Sequence, residues 1–188
     1  MGSIHLLQIG DVSPHLYTPI AHGIQNHLGI TIHHHEAKAL PEKSYDITRG
    51  QYHATRLLEC VESYPIPPQD LILGITSVDL FIPILTFVFG EARLNKPSAI
   101  LSLHRLTPQF YGLPQNNALT IQRATIEAIH ELGHTLGLLH CNQYPCAMHA
   151  SRTADDIDLK TPHFCPDCAH HLHKKYFSTD IFIKKDAL

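Results

Sequence analysis

Between His130 and His140 the chain reads HELGHTLGLLH, a run whose residue types can hold a metal ion and carry out hydrolysis with it. On a helix, His130 and His134 are four residues apart and project from one face, so both imidazoles can bind one Zn²⁺. Glu131 sits one position round and can reach a metal-bound water without ligating the ion. Gly137 ends the helix, because a residue without Cβ adopts the left-handed conformation at low cost. The reversal brings His140 back as a third nitrogen ligand. Three neutral histidines leave the fourth tetrahedral position to water, the pattern of a catalytic rather than a structural zinc. With 17 histidines among 188 residues, an HExxH pairing alone arises cheaply by chance. Requiring Gly at the eighth position and His at the eleventh makes coincidence rare.

Cys141, Cys146, Cys165 and Cys168 form a second constellation, a C-x4-C followed after eighteen residues by a C-x2-C. Short-spaced pairs across a longer loop let four thiolates enclose one ion tetrahedrally, which closes that site to water. Two disulfides are the alternative. Their context is not seen, because no secretory signal is visible and clustered cysteines in an intracellular protein more often bind metal. Cys60 is left over and reads as a small apolar residue on a helix. His140 and Cys141 are consecutive yet must serve different ions. An extended backbone past the glycine turn would point them to opposite sides, placing the ions roughly 10–15 Å apart.

Together these residues resemble the archaemetzincins, within the metzincin clan of zinc peptidases. His130, Glu131, His134, Gly137 and His140 match the clan's long zinc motif, and Cys141 stands where archaemetzincins carry cysteine. Met148 matches the methionine of the clan's Met-turn, a tight loop beneath the metal. Cys165-Pro166-Asp167-Cys168 completes the family's four-cysteine site. The likeness is dense from Leu119 to Cys168 and looser upstream; the segment from Met148 to Cys165 is one residue shorter than the family pattern. The resemblance implies a zinc-dependent peptidase with a peptide or protein substrate and two Zn²⁺, one catalytic and one structural. Glu131 would be the general base and Met148 an unreactive apolar floor under the histidines. It also implies that residues 86–92 form the edge strand above the cleft. A peptide-binding module without turnover and a zinc amidase acting on non-peptide amides are the rival readings, and intact Glu131 disfavours the first.

Composition bounds the rest. Hydrophobic residues at 44% and charged ones at 16% describe a packed domain rather than a disordered chain. A net charge of −3 gives no electrostatic case for nucleic acid or an anionic membrane. The most apolar run, residues 78–90, contains Asp79 and Pro83 and is too short to span a bilayer. The N-terminus enters Ile4-His5-Leu6 with no basic leader, so the expected location is the cytoplasm.

The elements that must position these residues alternate. Strands are expected at Ile4–Ile9, 30–36 and Leu71–Thr76, with helices at Pro14–Leu28 and 51–64 between them. That order implies parallel strands with right-handed crossovers. Residues 86–92 and 98–103, joined by a short link, favour an antiparallel pair. A long helix over 118–136 carries the zinc motif, with Ile121, Ala128, Leu132 and Leu136 facing the core and Arg123, Glu127, His130 and His134 facing a cleft. Little regular structure is expected after Gly137 until a helix over 166–176. The expected class is α/β (α+β) and metzincin-like: a mixed twisted sheet with an antiparallel edge strand, packed on helices. One domain is expected over 1–188, divided into an N-terminal part (1–137) and a small zinc-stapled C-terminal part (138–188). His149, Tyr111 and Tyr144 are candidates to approach a substrate oxygen, and Glu127 to orient a ligand histidine. His33–His35 and His170, His171 and His173 read as ordinary strand and helix positions.

Overall fold

The computed structural model describes residues 2–177. In chain order these form β1 (Ile4–Ile9), α1 (Pro14–Leu28), β2 (Ile32–Lys38), β3 (Tyr45–Asp46), β4 (Gln51–His53) and α2 (Ala54–Glu62). There follow β5 (Leu71–Thr76), β6 (Leu80–Phe81), β7 (Gly90–Ala92), β8 (Ser98–Ser102), α3 (Asn117–Thr135), α4 (Ala154–Asp158) and α5 (Pro166–Phe177). The main sheet has the order β2-β1-β5-β8-β7. Its first four strands are parallel, and β7 runs antiparallel to β8 at the edge. The mixed sheet with an antiparallel edge strand is therefore present as expected.

Strand alternation sorts the core into two layers. Ile4, Leu6, Leu73, Ile75 and Leu101 point to the face covered by α1 and α3, where they meet Ile20, Ile24, Ala124, Ala128 and Leu132. Leu7, Ile9, Ile72 and Ile100 point the other way, onto Leu57, Leu58 and Val61 of α2. With both faces covered, the parallel strands β1, β5 and β8 are apolar throughout most of their length. Among the described residues no helix is long and apolar enough to cross a membrane.

Four local expectations change. Residues 51–53 are strand, not the first turn of α2: Tyr52 and His53 pair in parallel with Leu80 and Phe81, and Gln51 Nε2 donates to Asp79 Oδ2 and to the Thr86 carbonyl. The second strand is shifted to Ile32–Lys38, in register with β1 from Ile4↔Ile32 onward. Regular strand in 86–92 is confined to Gly90–Ala92, while Val88 makes an isolated bridge to Leu80. In the C-terminal part, α4 was not expected; Thr153 and Asp156 close a reciprocal capping box at its start.

His35 is more than a strand residue. Its Nδ1 meets the Tyr64 hydroxyl at 2.8 Å and its Nε2 meets His5 Nδ1 at 2.7 Å. His5 Nε2 in turn bonds Asp70 Oδ2 at 2.9 Å, so one polar chain ties β2 and β1 to the link between α2 and β5.

Candidate active site

Asn116 opens α3 as its N-cap, its side chain accepting from the Leu119 amide at 3.0 Å. The other end is a Schellman turn: Leu138 N–H bonds the Gly133 carbonyl and Gly137 N–H bonds that of His134, both at 2.9 Å. Gly137 has φ +93°, and a Cβ there would also collide with Asn95 and Lys175. The turn has a second effect, because it aims the Leu138 carbonyl at His134 Nδ1, 2.8 Å away. His130 Nδ1 likewise bonds the Ala147 carbonyl at 2.8 Å.

Both Nδ1 atoms face carbonyls and so carry the protons, which leaves Nε2 of each ring as a lone pair. Those two Nε2 atoms lie 3.1 Å apart. Two lone pairs so close repel unless a cation lies between them. A tetrahedral zinc with bonds of about 2.0–2.1 Å would set them at roughly 3.3 Å, so the pair fits that ion. His140 closes the triad, its ring centroid 5.2 Å from His130 and 4.9 Å from His134, with one ligand nitrogen of each residue within 4.8 Å of the others. Burial lowers the pKa of all three histidines, that of His130 to about 4, which favours the neutral form that can bind a metal.

Glu131 lies beside them, nearly fully buried, and burial with the nearby Glu127 charge pushes its carboxyl well above the usual range. It abuts the edge strand directly: a Cβ on Gly90 would sit 2.6 Å from Glu131 Oε1. Glycine at 90 is what lets the carboxylate and β7 share this space. Leu85–Gly90 form one wall of a cavity of about 350 Å³, with Glu131, His130 and His140 opposite. A hollow of about 530 Å³ beside Pro97 and Leu136 is larger but gathers no such set of ligands, so chemistry rather than volume locates the site.

The remaining support is tertiary. Met148 is fully buried under α3, and a Cβ at Gly133 would overlap its sulfur. The side of α3 expected to face a cleft is largely closed over: Glu127 and His130 line the cavity, yet Arg123, Glu127 and His130 are all at most 5% exposed. Glu127 does not bond a ligand histidine. Its Oε1 accepts from Lys160 Nζ at 2.6 Å and from Ser151 Oγ at 3.1 Å. Lys160 Nζ also donates to the His149 carbonyl at 3.0 Å and to that of Ala147 at 3.3 Å, the carbonyl that His130 uses. Lys160 is thus the buried support beside the triad that the sequence reading missed. A lone lysine after an acidic segment looks solvated, and only the fold buries it.

Of the other candidates, Tyr144 packs against His149 with ring centroids 3.6 Å apart and planes tilted by 39°, in a recess beside His140 and Cys141. Tyr111 instead donates to the Arg105 carbonyl, away from the triad. The four cysteines converge without a disulfide. Cys141 and Cys165 sulfurs are 3.7 Å apart, and Cys146 and Cys168 3.9 Å. An S–S bond requires about 2.05 Å. A tetrahedral zinc with bonds of about 2.3 Å gives sulfur separations near 3.8 Å. Just past the turn, Cys141 N–H bonds the Met148 carbonyl at 2.9 Å, and the neighbours His140 and Cys141 go to separate clusters.

An HExxHxxGxxH triad over a methionine floor, set below an antiparallel edge strand, defines a zinc metallopeptidase of the metzincin type. The comparisons narrow the class: the sequence model of Peptidase family M54 matches residues 22–174, and the chain belongs to that family. It is 42% identical over 136 residues to the archaemetzincin of Methanocaldococcus jannaschii, covering 72% of this chain and 74% of the relative. The crystal structure of archaemetzincin from Methanopyrus kandleri superposes with a TM-score of 0.80 at 34% identity, over 92% of this chain and 94% of the other. That of a zinc-dependent peptidase from Methanocorpusculum labreanum gives 0.79 at 29% identity, over 90% and 100%.

Proposed function

We propose that this zinc peptidase holds one ion on His130, His134 and His140 and a second on Cys141, Cys146, Cys165 and Cys168, and that Glu131 is its general base. The observation that carries the reading is the contact between the Glu131 carboxylate and Gly90 of the edge strand, inside the cavity lined by His130 and His140. An extended peptide added to the free edge of β7 would lie across that carboxylate, with backbone hydrogen bonds supplying affinity and little sequence selectivity. Zinc at the triad would polarise the scissile carbonyl and lower the pKa of a coordinated water towards about 7. Glu131 then accepts the proton of the attacking water and returns it to the leaving amine, which would otherwise depart as an unfavourable anion. The Ala147 and Leu138 carbonyls hold the rings of His130 and His134 in place, and Met148 supports them from below. The four-cysteine site would fix the segment after Gly137 from which His140 projects.

A panel of internally quenched peptides beside acylated small molecules, assayed with and without chelator, tests this. Chelator-sensitive cleavage of peptides alone is expected. Cleavage of only the small amides, or of nothing at full zinc occupancy, would overturn the reading.

A further inference from the structure

On the far side of the Pro83–Phe87 segment lies a groove of about 820 Å³, bounded by residues 44–49, the start of α2 and Phe81. Two of the chain's six arginines line it. Arg93, Arg105 and Arg123 each pair with a carboxylate, whereas among the described residues Arg49 and Arg56, both lining the groove, and Arg152, on the metal cleft, form no ion pair. The two guanidinium groups of the groove are instead steadied by backbone. Arg49 donates to the Leu85 carbonyl at 3.2 Å and lies 4.3 Å over the Phe81 ring, and Arg56 donates to the Lys43 carbonyl. Each retains N–H donors in a fixed fork that matches a carboxylate.

Other features add to this. His53 is the N-cap residue of α2 but makes no side-chain cap bond, and its Nδ1 is enclosed without a partner. The groove therefore also meets the positive end of a nine-residue helix. Of the acidic residues nearby, Asp46 on the groove has Oδ1 engaged by the amides of Thr48 and Arg49, and Glu91, near His53, accepts from Thr55 Oγ1. Tyr45 and Ile47, 47% and 87% exposed, give the groove an apolar lip. Leu85 joins the groove to the metal cleft: its side lines the cleft, while its carbonyl holds Arg49.

We propose that this groove is a subsite for a carboxylate on a peptide lying in the metal cleft, gripped by Arg49 and Arg56, with an adjoining apolar side chain resting on Tyr45 and Ile47. The proposal rests on the peptidase reading and names the substrate class it favours: peptides bearing a negative charge a few residues from the scissile bond. An acidic side chain and a free C-terminus present the same group.

Binding separates this from catalysis. Zinc-loaded Glu131→Gln protein is titrated with fluorescein-labelled ten-residue peptides of one neutral core, read by anisotropy. One series places Asp at successive positions, a second replaces it by Asn, and a third compares free-acid with amidated C-termini. At low ionic strength the best acidic peptide should bind about tenfold more tightly than its neutral counterpart. The difference should vanish in the Arg49→Gln/Arg56→Gln double variant, while neutral-peptide binding, which reports the intact fold, stays unchanged. Position-dependent loss with Asn assigns the grip to a side chain, and loss on amidation assigns it to the C-terminus. Equal affinity for acidic and neutral peptides, no binding of either, or a preference surviving in the double variant would overturn the subsite. Wild-type incubation with the same peptides reads hydrolysis separately, so a peptidase failure with intact acidic preference is recognisable.

Discussion

Lys160→Met is the most informative perturbation of the support beneath the triad. Lys160 and Glu127 side chains are 0% and 4% exposed, and their charged atoms meet at 2.6 Å. Removing the ammonium leaves a buried carboxylate with only Ser151 Oγ as a partner and releases the carbonyls of Ala147 and His149. Breaking a buried pair from one side costs about 3–5 kcal/mol, because the remaining charge is uncompensated. Glu127→Gln should cost less, about 1–2 kcal/mol, since Lys160 keeps two carbonyl acceptors and an amide oxygen. In the Lys160→Met/Glu127→Gln double variant no charge is stranded, so its cost should fall below the sum of the singles by about 2 kcal/mol. Urea unfolding of zinc-loaded protein, followed by circular dichroism, measures these terms. Because the Ala147 carbonyl also orients His130, zinc affinity at the triad should fall about 10- to 100-fold in Lys160→Met, read by chelator competition. A Lys160→Met variant within about 0.5 kcal/mol of wild type, or strictly additive singles, would refute the reasoning.

Gly133→Ala gains helix propensity but places a methyl on the Met148 sulfur, so a net loss of about 1–2 kcal/mol is expected, measured by urea unfolding. The loss should shrink in a Met148→Ala background. Cys141→Ser should weaken zinc at the triad although Cys141 belongs to the other cluster; unchanged affinity by chelator competition would separate the two sites energetically. Burial alone would raise the Asp79 carboxyl, but hydrogen bonds from Arg105 and Gln51 outweigh it and hold it below the ordinary range. A carboxyl depressed in the fold contributes stability above its unfolded pKa of about 3.9 and loses it as pH falls through the lower folded value. Asp79→Asn should therefore destabilise at neutral pH, with the gap to wild type closing below about pH 4. The same change should loosen the cleft wall, since Arg105 stacks 4.1 Å over Phe87.

What could be read from the sequence was local. The four-residue spacing of His130 and His134, the glycine turn and the clustered cysteines each place their own atoms, because helix period and turn chemistry act over a few residues. The apolar strands β1, β5 and β8 were legible for the same reason. Lys160 was not, since its partner lies thirty-three residues earlier and nothing near it marks burial. Nor was Gln51–His53 as strand: three residues have no period to show, and their conformation is set by Leu80, Phe81 and Asp79. Gly133 and Gly90 carried a faint signal, as glycine inside a helix or strand often marks a close approach. What approached them, Met148 and Glu131, came only with the fold.

Glu131→Gln tests the central claim most directly. The amide keeps the size of the side chain and removes its basicity. With zinc content measured on the same sample, hydrolysis of a cleaved peptide should fall at least ~10²-fold while metal occupancy matches wild type. Near-wild-type turnover at full zinc occupancy would contradict the account and remove Glu131 from the proton transfers.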